Sequence, residues 1–509
     1  MRWNKNKIYK NKKRKPKKKA VSFLAAMTNT PNLLSVHPNC IRHIISFQEG
    51  DLKQWNNLRA VCRAFLKQST GWIALLNNPV FCRLDEHISA LEKFCGLQKL
   101  FLWRPPHANT WDRLTSLTDL SMGNTEIRDI HLHTMSQLTR LRCLRISGCR
   151  HITDEGIQTL TTLHLLTELD VSSTWICGVG LTGLTTLESL ELQRCPNISQ
   201  LFCLSTLVRL HTLYLDGYSS TFNALSSLTA LRTLSLPDTK FADDSVVYLS
   251  ALHGLRTLML SATPFTDQGL TQLVSLVSNL TRLELWDCEN ITGRGLNALN
   301  RLQLTSLNIR GHELNAKIAW SISHITTLAK LDISHTPITD RGLENLMLLT
   351  SLQELDLAEC CDLTSDAFSV VASFLTNLRV LDVTHTSIDD IAVQTITSLL
   401  TELRELDLDH CLELTDLAFV DISQNLPFLK YLMIGSTCIT DVAIEHNIRF
   451  ATTLQYLNLQ DCDNITDDGI QMLSSLSCLK RLWLPTQITK NTIDNVLRPH
   501  LWKTEILFC

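Results

Sequence analysis

Along most of this chain the leucines fall in a pattern with two halves. From Leu454 to Leu476, LQYLNLQDCDNITDDGIQMLSSL, the residues Leu454, Leu457 and Leu459 give the spacing L-x-x-L-x-L. Its end alternates as a strand does. Ile470, Leu473 and Leu476 then recur at helical spacing, with Cys462 and Ile465-Thr466-Asp467 between the halves. The pattern predicts strand, turn, helix. One such unit cannot bury its own apolar side, so it needs copies of itself stacked on either side.

The copies start at Leu97, Leu117, Leu141, Leu166, Leu187, Leu210, Leu231, Leu255, Leu280, Leu304, Leu328, Leu352, Leu378, Leu403, Leu429, Leu454 and Leu479. These 17 starts give a mean period of (479 − 97)/16, about 24 residues, inside the window of leucine-rich repeats. The sequence resembles that family, and with Cys at the ninth position it resembles the cysteine-containing subclass. The resemblance implies an α/β leucine-rich repeat solenoid, a horseshoe with a parallel sheet inside and helices outside. The expected organisation is a basic tail (1–27), a small helical module (28–80), a linker or N-terminal cap (81–96), the solenoid with about 17 repeats (97–499) and a C-terminal end (500–509).

Composition adds an asymmetry. Residues 1–19 hold 11 Lys or Arg and no acidic residue, so the remainder carries 47 − 11 = 36 basic against 50 acidic residues, a net of −14. The run Lys12, Lys13, Arg14, Lys15, Lys17, Lys18 and Lys19 is too charged to fold alone and resembles a nuclear-targeting signal, with a solubilising leader as the plain alternative. No apolar run reaches 18 residues, so no membrane span is expected. The 17 cysteines form no C-x-x-C pair and read as reduced, buried thiols of a soluble intracellular protein, in cytoplasm, nucleus or both.

Residues 33–76 lack the repeat pattern. Apolar residues there recur at helical spacing, first Ile41, Ile44, Ile45 and Phe47 after Pro38, then Leu52, Trp55, Leu58, Val61, Cys62 and Phe65, and third Trp72 to Leu76. Three short helices in about 45 residues make a poor core alone and normally dock on something else. The pattern from Leu34 and Pro38 through Ile41, Ile44 and Ser46-Phe47 to Asp51-Leu52, Leu58, Val61-Cys62-Arg63 and Trp72 resembles an F-box. It departs from that family in His37, Gln48, in Phe65 where tryptophan is usual, and in a longer Asp51–Val61 spacing. The resemblance implies an adaptor-binding surface of Leu34, Pro38, Ile41, Ile44, Ile45, Phe47, Leu58, Val61, Cys62 and Phe65. A plain helical cap on the first repeat would need the same apolar residues.

Within the array, the ninth position is nearly always Thr or Cys, which suits a small side chain turned inward to bond neighbouring backbone groups. Metal ligation there is disfavoured, because alternate strands stand about 9.6 Å apart. Recurrent Thr-Asp pairs, such as Thr266-Asp267 and Thr466-Asp467, read as helix caps. The informative positions are those the repeat leaves free. Between the second and third leucine stand Asp332, Asp356, Asp382 and Asp407, each predicted to lie one strand spacing, about 4.8 Å, from the next. His335, Glu359, His385 and His410 follow three positions on, and Tyr431, Tyr456 and Trp483 continue the surface. Nothing in the repeat's packing calls for stacked carboxylates, so this stripe is the candidate site for a protein target, expected from its charge to be basic; the alternative is a solvated face.

No catalytic motif appears, so the expectation is a binding protein without cofactor or metal. The combined resemblance, to F-box leucine-rich repeat proteins, implies the substrate-recognition subunit of a Skp/cullin/F-box ubiquitin ligase, with a Skp-type adaptor and through it a cullin as partners. The alternative is a scaffold or inhibitor unconnected with ubiquitin. Nucleic-acid binding is disfavoured by the acidic body.

Overall fold

The computed structural model describes residues 80–82, 98–102, 111–112, 114–198, 201–218, 222–312, 316–445, 453–501 and 504–508. The chain divides into two compact units, 1–70 and 71–509, and every described residue belongs to the second. The expected nuclear-targeting run and the adaptor-binding residues Leu34 to Phe65 lie outside the described residues.

Each of the 17 leucine starts is followed, two residues on, by a short strand, from Lys99–Leu102 to Arg481–Leu484. Every strand pairs in parallel with the next one in chain order. Two more strands extend the sheet beyond the expected limits of the array. Val80–Cys82 pairs with Lys99–Leu102, and Glu505–Phe508 pairs with Arg481–Leu484, giving 19 strands among the described residues. The central leucine of each strand points inward. Leu355, Leu381 and Leu406 are almost wholly buried, and each contributes about 1.5–3 kcal/mol. The residues on either side of it face outward, half-exposed on an open face of the sheet.

Repeat length decides what covers the other face. The long repeats, such as Leu352 to Leu378 (378 − 352 = 26 residues), have room for ten-residue α-helices: Ser365–Phe374, Asp390–Leu399 and Asp416–Asn425. In the short ones, such as Leu166 to Leu187 (21 residues), the expected helix shrinks to a 3₁₀ turn, as at Val179–Leu181 and Asn223–Ser227. From the last of these turns onward a run of buried aromatic rings joins successive repeats. Phe222 meets Phe241 edge-on at 5.2 Å, and Phe241 lies 6.1 Å from Phe265.

Two devices lock neighbouring repeats together. The first explains the Thr/Cys alternation. Thr336 Oγ1 donates to the Ile333 carbonyl oxygen, and Cys360 Sγ of the next repeat donates to the same oxygen. The pattern recurs with Thr386 and Cys411 on Val383, and with Thr437 and Cys462 on Ile434. One carbonyl with two lone pairs thus serves two repeats. Burial pushes these thiols up, Cys411 to about 11, so they stay protonated donors.

The second device corrects the reading of the Thr-Asp pairs as caps alone. Thr266, Thr415 and Thr466 do cap their helices, but Thr339 makes no such bond. The aspartate reaches across to the following repeat. Asp390 accepts from the Thr415 amide at 2.9 Å and from its hydroxyl at 2.6 Å. Asp267 does the same for Thr292, Asp416 for Thr440 and Asp441 for Thr466. Glycine is needed beside such a brace: a Cβ at Gly469 would collide with the Asp441 carboxylate.

Candidate functional site

The open face carries the residues singled out by the sequence. Strand pairing sets Asn308, Asp332, Asp356, Asp382 and Asp407 side by side in one row. The aspartates have a structural duty that the sequence reading denied them. Oδ1 of Asp332, Asp356, Asp382 and Asp407 accepts the amide two residues on, at 2.9–3.0 Å. That bond closes the turn leaving the strand. The next residue lies in the left-handed region, with φ of 56° at His335, 57° at Glu359, 56° at His385 and 60° at His410. The clue in the sequence was substitution within the array: Asn308 and Asn458 hold the same row position and make the same bond, while Gly148, Gly217 and Gly311 take the left-handed place.

The carboxylates are therefore crowded for the sake of the turn, and the crowding shows in their chemistry. Burial, then the Asp332 and Asp382 charges, pushes Asp356 up to about 7. Burial, then Asp382 and Asp409, does the same to Asp407. Asp409 is also raised by burial, although it accepts from the Gly435 amide and from Asn458 Nδ2. Near neutral pH the row is only partly ionised, not four full charges as the sequence suggested.

Beside it, His335 presents Nδ1 to the Glu359 carboxylate at 2.9 Å and Nε2 to the Arg310 guanidinium at 2.6 Å. His385 and His410 stack face to face, centroids 4.0 Å apart. Tyr431 and Tyr456 stack at 4.1 Å, and Lys480 Nζ sits 5.8 Å from the Tyr456 ring centre. The tyrosines and Trp483 occupy different rows. Tyr431 aligns with Glu405, whereas Trp483 aligns with Asn458, in the row of the aspartates. A depression of about 260 Å³ opens over the start of the acidic row, lined by Arg282, Glu284, Asn308, Lys330, Asp332 and Asp356 among others.

One row escaped the sequence reading altogether. The residues just before each strand are joined in register by backbone bonds: Arg404 to Arg379, Lys430 to Arg404, Gln455 to Lys430 and Lys480 to Gln455. Arg379, Arg404, Lys430 and Lys480 are exposed. No ion pair engages them among the described residues. A basic residue directly after the first leucine in four of the last five repeats, Arg379, Arg404, Lys430 and Lys480, was the available signal.

Repeated strands of this register, with an inward leucine ladder, match a known design. Residues 137–161, 324–347 and 450–474 match the family model for the leucine-rich repeat. Leucine-rich repeats are present. No curated protein matches the chain. Among solved structures, an internalin (inlF) from Listeria monocytogenes is similar at 26% identity, covering 63% of this chain and 88% of its own, with a TM-score of 0.45. A leucine-rich repeat protein of Leptospira interrogans is similar at 20% identity (85% of this chain, 100% of its own, TM-score 0.40). The Rad7 and Elc1 complex in yeast is similar at 18% identity (90% of this chain, 98% of that chain, TM-score 0.46). Among the described residues no helix of the repeats is long and apolar enough to cross a membrane.

Proposed function

We propose that this leucine-rich repeat protein is the substrate-recognition subunit of a Skp/cullin/F-box-type ubiquitin ligase. In this reading residues 28–80 dock on a Skp-type adaptor, and the repeats hold a protein target on their open face. Catalysis belongs to partner subunits. The observation that carries the binding half is the open face itself: histidines, tyrosines and a tryptophan stand there on successive strands, and the leucine ladder does not use their side chains. Side chains of this kind supply contact area and hydrogen bonds to a protein surface. The ligase half is supported by the F-box-like spacing of Pro38, Ile41, Ile44, Ile45, Phe47 and Val61.

The deciding experiment is co-purification. Wild-type protein is expected to bring down a Skp-type adaptor, and Ile44→Asp with Ile45→Asp to lose it while the far-ultraviolet spectrum of the repeats stays unchanged. Failure of the wild type to retain the adaptor, or equal retention by the double variant, overturns the ligase reading and leaves a repeat scaffold.

A further inference from the structure

Two rows of like charge on the open face are displaced along the array. The acidic row spans the strands Lys330–Asp332 to Glu405–Asp407. The basic row, on the edge where the chain enters the strands, runs from Arg379 to Lys480. The two rows overlap on only two strands, so within them the charge changes sign along the array, from carboxylates near Asp332 to cations near Lys480; Lys330 at the acidic end is taken up by Glu354, and Glu405 stands beside Arg404. The stacked Tyr431 and Tyr456 lie on the basic side of the change.

From the strand of Asp332 to that of Arg481 there are six strand spacings, about 29 Å at about 4.8 Å each. A row of side chains repeating at about 4.8 Å fits an α-helix laid across the strands, whose turns repeat at about 5.4 Å. It fits an extended chain less well, since side chains on one face of a strand repeat at about 6.6 Å. At about 1.5 Å per residue, 29 Å corresponds to a helix of roughly 19 residues.

We infer that the open face takes a helical segment of a protein partner whose charges are segregated, anionic in one half and cationic in the other. The anionic half lies against Arg379, Arg404, Lys430 and Lys480, and the cationic half against Asp332, Asp356 and Asp382. A helix with acidic residues in its N-terminal half and basic ones in its C-terminal half complements its own backbone dipole, so such segments form readily. The tyrosine pair supplies flat surface near the anionic half. Charge of one sign is not the recognised feature; its order along the segment is. This inference rests on the reading that the open face captures a protein partner, and does not require the adaptor.

The test uses full-length protein and two fluorescent 20-residue helical peptides of identical composition and zero net charge. One has its glutamates in the first half and its lysines in the second; the other interleaves them. Fluorescence anisotropy is expected to show the segregated peptide binding at least about tenfold tighter, with the advantage fading as salt rises. Arg379→Glu, Arg404→Glu and Lys430→Glu together change only exposed side chains and are expected to abolish the preference. Should that variant melt early, Arg404→Gln alone is expected to weaken it measurably. Equal binding of the two peptides to wild type, or an undiminished preference in a folded variant, overturns the inference. Adaptor co-purification with the same variant is expected to remain normal, so loss of the ligase reading and loss of this one give different results.

Discussion

Asp407→Asn tests whether the acidic row is held together at an electrostatic cost. In the folded protein the Asp407 carboxyl titrates at about 7, against 3.8 for the free side chain. The folded state therefore binds the proton more tightly, and stability falls as pH rises from about 4 to about 7, then levels off. The difference of 7 − 3.8, about 3 units at about 1.4 kcal/mol each, sets an upper bound of about 4 kcal/mol at pH 8. Water reaching the half-exposed row leaves about 2–4 kcal/mol of that. Asparagine keeps the oxygen that accepts from the residue 409 amide, as Asn308 and Asn458 do in their own turns, and opens no cavity. The variant is thus expected to match wild type at pH 4 and to exceed it increasingly up to pH 8. Urea unfolding followed by circular dichroism across that range measures the difference. A variant less stable than wild type at pH 8, or a difference that does not change with pH, would refute the argument.

Three further outcomes follow from the repeat joints and the tail. Asp390→Ala removes both bonds to Thr415 and is expected to cost about 1–3 kcal/mol, with Asp390→Asn recovering part of it, read by urea midpoints. Gly469→Ala forces a methyl group against the Asp441 carboxylate and is expected to destabilise by about 1–3 kcal/mol, visible as a lower melting temperature. Replacing Lys12, Lys13, Arg14, Lys15, Lys17, Lys18 and Lys19 by Ala is expected to shift a fluorescent fusion out of the nucleus; an unchanged distribution would leave the tail as a solubiliser.

The leucine spacing was enough to place the 17 strand starts from Lys99 to Arg481, because the inward leucine at the centre of each strand drives stacking; the strands at Val80 and Glu505 lack the full pattern and were not foreseen. Thr336 and Cys360 could likewise be assigned an inward, backbone-bonding role from size and polarity. What their alternation was for could not be read, because the shared Ile333 carbonyl is a contact between residues 24 and 27 positions apart. The brace from Asp390 to Thr415 was hidden for the same reason: both partners had a sufficient local explanation as helix starters. Asp356 was misjudged in the other direction. Its place on the outer face was correct, but its hydrogen bond to the Ala358 amide makes it a turn former first and a charge second. The adaptor-binding and nuclear-targeting residues remain expectations of the sequence alone.

The Asp-to-Thr braces are not evenly distributed, and this gives the array a weak link under load. Asp129 holds Thr153 and Asp154 holds the Cys177 and Gly180 amides; the braces resume from Asp243 to Thr292 and again at Asp340 to Thr364, and among the described residues none is present between Gly180 and Asp243 or between Thr292 and Asp340. The second of these stretches keeps the α-helix Ala316–Ile322, whereas the first is also where the outer layer thins to the turns Phe202–Thr206 and Asn223–Ser227. Pulled from its two ends, the molecule should give way there first, as a chain parts at its thinnest section. Neighbouring repeats on both sides would still be pinned at that force. The stretch of about three repeats between Gly180 and Asp243 is then the most compliant part of the array. Single-molecule stretching should show an early step of that length, and uniform yielding along the array would contradict it.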